Sequence, residues 1–68
     1  MDDKTDFIAF CIEEYKENEH LTGKEVIDLF NRHDVIGYIN SCYKALHVMG
    51  GQAITDDINH LIHGSIRN

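Results

Sequence analysis

The sequence predicts an all-α fold, a compact bundle of four short helices. Three observations lead there. Apolar residues recur at three- and four-residue spacing through most of the chain, and proline is absent. No stretch alternates polar and apolar residues long enough to form a convincing strand. Helices are expected over residues 3–18, 23–33, 35–49 and 52–63, within one domain spanning 1–68.

The first helix carries Phe7, Ile8, Phe10, Cys11, Ile12 and Tyr15 at helical spacing, an apolar arc wider than half its circumference. Asp2, Asp3 and Asp6 lie near its start, where negative charge complements the helix dipole. The second helix has the clearest local signal, Leu21-Thr22-Gly23-Lys24-Glu25-Val26. Thr22 suits the N-cap and Glu25 the third position of a capping box, with Leu21 and Val26 placed as a hydrophobic staple. Val26, Ile27, Leu29 and Phe30 are expected to face inward, and the helix ends near His33.

Asp34 is positioned to cap the third helix. Val35, Ile36, Tyr38, Ile39, Cys42, Tyr43, Leu46 and Met49 form its broad apolar arc. Gly50-Gly51 is a stop signal, with Gly50 expected in the left-handed conformation. The fourth helix places Ile54, Ile58, Leu61 and Ile62 inward, and Gly64 ends the domain.

A chain of 68 residues buries only about 60% of the surface that its unfolded form exposes. Cores of this size rarely supply more than about 3–5 kcal/mol, so a disulfide, a metal or a partner usually adds stability. The charge balance narrows the candidates. Twelve acidic residues stand against six basic ones, a net charge of -6. The basic residues Lys4, Lys16, Lys24, Arg32, Lys44 and Arg67 are scattered, whereas a nucleic-acid surface is normally a basic stripe. No nucleic-acid partner is therefore expected. No apolar run approaches the ~20 residues of a membrane span, and no signal segment is visible, so no membrane association is expected. Cytoplasmic residence is the expectation, and Cys11 and Cys42 are then reduced thiols.

Candidate chemistry is sparse. Cys11 and Cys42 each lie near the middle of an apolar arc and read as buried core thiols rather than nucleophiles. His60-x-x-His63 could offer two ligands on one helix face, but both point away from the apolar stripe and no further ligands stand at metal spacing. Glu13-Glu14 and Asp56-Asp57 are adjacent acids that point about 100° apart on a helix and form no dyad. Thr22-Gly23-Lys24 lacks the glycine-rich run of a phosphate loop. His20 and His33 fall at helix ends. No catalytic residue, cofactor or metal is assigned, and an enzyme is not expected.

What remains is surface for a partner. The arcs of the first and third helices are wider than one packing contact requires. Tyr15, Tyr38 and Tyr43 lie toward their edges, and His47 flanks the third helix next to Tyr43, half-buried and able to cap nearby carbonyls. These four are the interface candidates, since tyrosine offers apolar area with a wet polar tip. Two alternatives stand beside a protein partner. One is a small helical DNA-binding regulator, with the second and third helices as a helix-turn-helix. The other is a homo-oligomeric structural domain.

The residues also carry a resemblance. Phe7-x-x-Phe10-Cys11-Ile12-Glu13-x-Tyr15, Leu21-x-Gly23-Lys24-Glu25-Val26-x-x-Leu29-Phe30, Val35-x-x-Tyr38-Ile39-x-x-x-Tyr43-x-x-Leu46-His47-x-x-Gly50 and Ile54-x-x-Asp57-Ile58 together resemble a family of short bacterial proteins known as a domain of unknown function. The resemblance spans about Phe7 to Ile62. Members of that family are often encoded beside a toxin-like protein resembling ADP-ribosyltransferases. The resemblance thus implies an antitoxin or accessory partner, and it brings no catalytic residues.

Overall fold

The structure is a computed structural model in which residues 3–63 are described. Asp2 and Gly64, given roles at the two ends of the domain above, lie outside those residues. The described residues form five helices and no strand: α1 Asp3–Glu19, α2 Gly23–Arg32, α3 Val35–Ser41, α4 Tyr43–Leu46 and α5 Gly51–His63. The all-α bundle is as expected, but the third expected helix is two.

The division falls at Cys42, whose backbone leaves helical geometry at φ -107° and ψ 20°. Neither proline nor glycine marks the break, and the apolar spacing runs straight through it. After the break Leu46 enters the core and Tyr43 stands edge-on to Phe7 of α1. The break thus goes with contacts to α1 that lie far away in sequence, and periodicity alone cannot reveal it.

The helix ends follow local chemistry closely. Thr22 caps α2 as expected: Glu25 N–H donates to Thr22 Oγ1 at 3.1 Å, and Thr22 N–H donates to Glu25 Oε1 at 2.8 Å. Thr22→Ala removes the first of these bonds and leaves an orphan amide at the helix start. A loss of about 0.5–2 kcal/mol in chemical denaturation is expected. α1 ends differently. His20 adopts the left-handed conformation at φ 57°, and Leu21 N–H returns to the Lys16 carbonyl at 3.0 Å. That six-to-one bond is a Schellman closure with histidine in the position that favours glycine. His20→Gly should therefore raise stability, by up to about 1 kcal/mol in the same denaturation experiment.

Two local expectations do not hold. Asp34 occupies the N-cap position of α3 but is left-handed, at φ 52°, and makes no side-chain capping bond. Its carboxylate lies over Gly37, where a Cβ would come within 2.7 Å of Asp34 Oδ2. Gly50 is not left-handed, since no described glycine has positive φ. The turn before α5 is instead closed by helical-type bonds, Met49 N–H to the Leu46 carbonyl and Ile54 N–H to the Gly50 carbonyl. At Gly51 the Glu14 carboxylate occupies the space of a side chain and would have to swing aside for any other residue.

The core gathers Cys11 and Tyr15 from α1, Val26 and Phe30 from α2, Val35 and Ile39 from α3, Leu46 from α4, and Ile54, Ile58 and Ile62 from α5. Ile27, expected inside, is 41% exposed on α2. α1 and α5 are also joined by a polar seam. Tyr15 Oη donates to Asn59 Oδ1 at 2.6 Å, Asn59 Nδ2 donates to Glu19 Oε2 at 2.9 Å, and Asn18 Nδ2 donates to the buried Thr55 Oγ1 at 2.8 Å. Each buried polar group in the seam thus has a partner, which removes the penalty of burying it.

Candidate functional site

The four interface candidates separate. Tyr15 is 2% exposed, its ring edge-on to Phe30 at 5.3 Å, so it belongs to the core and leaves the interface set. Tyr38 is half-buried and its hydroxyl donates to Asp57, which ties α3 to α5. That bond, with burial, pushes the Tyr38 hydroxyl up to about 12, since losing the proton would set an anion beside a carboxylate. Tyr43 and His47 stay together near the surface.

Tyr43 is the centre of a run of rings crossing from α1 to α4. Phe10 stacks on Phe7 with centroids 6.1 Å apart. Phe7 meets Tyr43 edge-on at 5.4 Å, and His47 stacks on Tyr43 at 4.8 Å. Phe7 and Tyr43 are half-buried, His47 is exposed, and Phe10 is 42% exposed. His47 is thus more exposed than expected, but its carbonyl-capping role is present: Nδ1 lies 3.1 Å from the carbonyls of both Tyr43 and Lys44. Those contacts hold the imidazole flat against the phenol.

Phe7 and Phe10, two members of the wide apolar arc of the first helix, form half of this strip. The spacing carries a signal for this, since the arc is wider than one packing contact requires. Which edge stays uncovered depends on where α4 lands, and that is set by the break at Cys42.

Beside the strip, at the junction of α3 and α4, lies an open groove of about 450 Å³ lined by Lys4, Asn40, Ser41, Cys42, Tyr43 and Lys44 among others. Lys4 Nζ stands 5.9 Å from the centroid of the Tyr43 ring, within reach of a cation–π contact.

The two cysteines also part company. Both are free thiols, but only Cys11 is buried, and Cys42 is half-buried on the groove wall. Burial, aided by the nearby Glu14 carboxylate, pushes the Cys11 thiol up to about 11. The expectation of two core thiols is corrected for Cys42, which packs against the core but is only half-buried. A thiol-reactive dye should therefore label one cysteine in native buffer and two after unfolding. Two labels in native buffer would contradict the placement of Cys11.

His60 and His63 are both exposed on α5. Among the described residues, no three His, Cys, Asp or Glu side chains are grouped to hold a metal ion. No described helix is long and apolar enough to cross a membrane.

Fold and surface define a class: a small all-α bundle with a hydrogen-bonded seam on one side and a run of aromatic rings on another. Residues 6–64 match the family described as "Protein of unknown function (DUF3791)", and the chain belongs to that family. No curated protein and no solved structure matches the chain.

Proposed function

We propose that the chain is a non-catalytic interaction module whose docking face is the strip Phe10–Phe7–Tyr43–His47. The observation that carries this reading is Phe10, a large aromatic ring 42% exposed and held in a stack rather than folded into the core. A rigid aromatic at a surface is the usual anchor of a protein interface, because its area is desolvated at small entropic cost. Tyr43 beside it supplies a further ring at the same surface. The small core supports the reading too, since a partner that binds the folded form raises its apparent stability by mass action.

The resemblance drawn from the sequence suggests the partner, a toxin-like protein of ADP-ribosyltransferase type. The module would then act by covering a cleft of that protein. The test is co-expression with the product of the adjacent gene. Co-elution as one complex, with an unfolding midpoint higher than that of the chain alone, is expected. Separate elution with an unchanged midpoint removes the toxin partner. Concentration-dependent self-association through Phe10 in the same experiment would instead make a second copy the occupant.

A further inference from the structure

We infer that the outer face of α1 docks against a protein surface in which an apolar socket for Phe10 is bordered by lysine or arginine side chains. The inference rests on the docking reading above and adds the chemistry of the partner.

Asp3, Asp6, Phe10, Glu13 and Glu17 recur at spacings of three and four along α1, and all five are exposed. At about 100° per residue they fall within an arc of about 80°, on a stripe about 21 Å long. Phe10 stands in the middle, with two carboxylates before it and two after it. It is also the ring at the outer end of the aromatic strip, stacked on Phe7. The face that presents the anchor ring is therefore the face that presents the charge.

A solvated helix side is the plain explanation of exposed carboxylates, and it covers part of the stripe. Asp3 and Asp6 lie in the first turn, where they complement the helix dipole. Glu17 does the reverse. It stands in the last turn of α1, where the dipole disfavours a carboxylate. Glu13 reaches Lys16 at 3.6 Å, but both side chains of that pair are exposed and it contributes little to the fold. A phenylalanine 42% exposed at the centre of the stripe gains nothing from water.

A ring framed by carboxylates selects its occupant. Duplex nucleic acid and an anionic membrane would bring like charge to the stripe. A second copy laid face to face would set carboxylates against carboxylates, since an isologous contact places the same patch on both sides. A protein surface with cationic side chains around an apolar socket meets both the ring and its flanks. Carboxylates at the rim also speed encounter with such a surface.

The test uses the full chain and two fluorescein-labelled peptides, one with a leucine flanked by lysines and one with glutamine in place of every lysine. At low ionic strength the lysine peptide should bind about fivefold tighter, the gain expected from two exposed ion pairs. Added salt should erode that preference. Asp6→Asn, Glu17→Gln should abolish it. Asp28→Asn, Asp56→Asn, which removes two exposed carboxylates from α2 and α5, should keep it. The two double variants have the same net charge, so the comparison separates the stripe from the chain's overall acidity. Unfolding midpoints check that each is folded. Phe10→Ala should weaken both peptides. Equal binding of the two peptides by the wild-type chain, binding of neither, or equal loss of preference in the two double variants would overturn the inference. Phe10→Ala weakening both peptides while the lysine preference survives in the Asp6, Glu17 variant would keep the strip as docking face and remove its cationic border. A Phe10→Ala chain that binds both peptides as wild type does would remove the strip itself, and the inference with it.

Discussion

Replacing Tyr15 with alanine is expected to cost about 3–5 kcal/mol and to leave much of the chain unfolded at room temperature. The ring is 2% exposed, packs edge-on against Phe30, and sits where α1, α2 and α5 converge. Removing it opens a cavity that a small bundle has few ways to fill. The substitution also strips Asn59 Oδ1 of its donor within the seam. Tyr15→Phe separates the two effects. It keeps the ring and removes only the hydroxyl, so a loss of about 0.5–1.5 kcal/mol is expected. Urea denaturation followed by circular dichroism reads both. A Tyr15→Ala chain as stable as the Phe variant would show that the ring is not central to the core.

Phe10→Asp should have the largest effect on docking and a smaller effect on folding. An anchor ring at the centre of an interface commonly contributes 2 kcal/mol or more, so the Kd for the partner should rise about thirtyfold or beyond. At 42% exposure a carboxylate at position 10 remains hydrated in the free chain, but the Phe7 stack is lost and Asp6, Glu13 and Glu14 stand one turn away, so a stability loss of about 1–2 kcal/mol should accompany the loss of docking. Tyr43→Ala should weaken docking as well. It will also cost some stability, because Tyr43 is packed against Phe7. Tyr38→Ala is expected to behave in the opposite sense, damaging the fold more than docking, since its hydroxyl is bonded to Asp57 across α3 and α5. Calorimetric titration together with thermal unfolding of the three variants checks the order. A Phe10→Asp chain that binds the partner as wild type does would sink the strip as the docking face.

How far the sequence foretold this can be judged from particular residues. The capping box at Thr22 was legible because its signal is local: two side chains three residues apart satisfy each other's backbone. The all-α class was legible because apolar spacing is a property of each segment. The break at Cys42 was not, because Ile39, Cys42 and Leu46 keep a continuous helical stripe across it. Asp34 looked like a cap, yet the tight connection from α2 puts it in the left-handed region, and its side chain turns over Gly37 instead. The candidate site suffered most. Tyr15 and Tyr43 have similar sequence surroundings, each at the edge of an apolar arc. One lies against α5 and the other at the surface, a difference made by tertiary packing alone. Lys4 and Lys44 were read as scattered charges, which is true along the chain and untrue in space.

The seam between α1 and α5 has a consequence for the order of events during synthesis. Its three hydrogen bonds join residues 37 to 44 positions apart, so they close a loop that spans most of the bundle. Local contacts within α1 and α2 can form early, whereas this closure must wait for the last helix. Until Ile54, Ile58 and Ile62 have left the ribosome, the face of α1 bearing Cys11 and Tyr15 has no lid. The nascent chain passes through an interval in which its central apolar surface is open to chaperones or to other chains. A premature stop between residues 47 and 53 would fix the chain in that state, with four helices translated and the core lacking Ile54, Ile58 and Ile62.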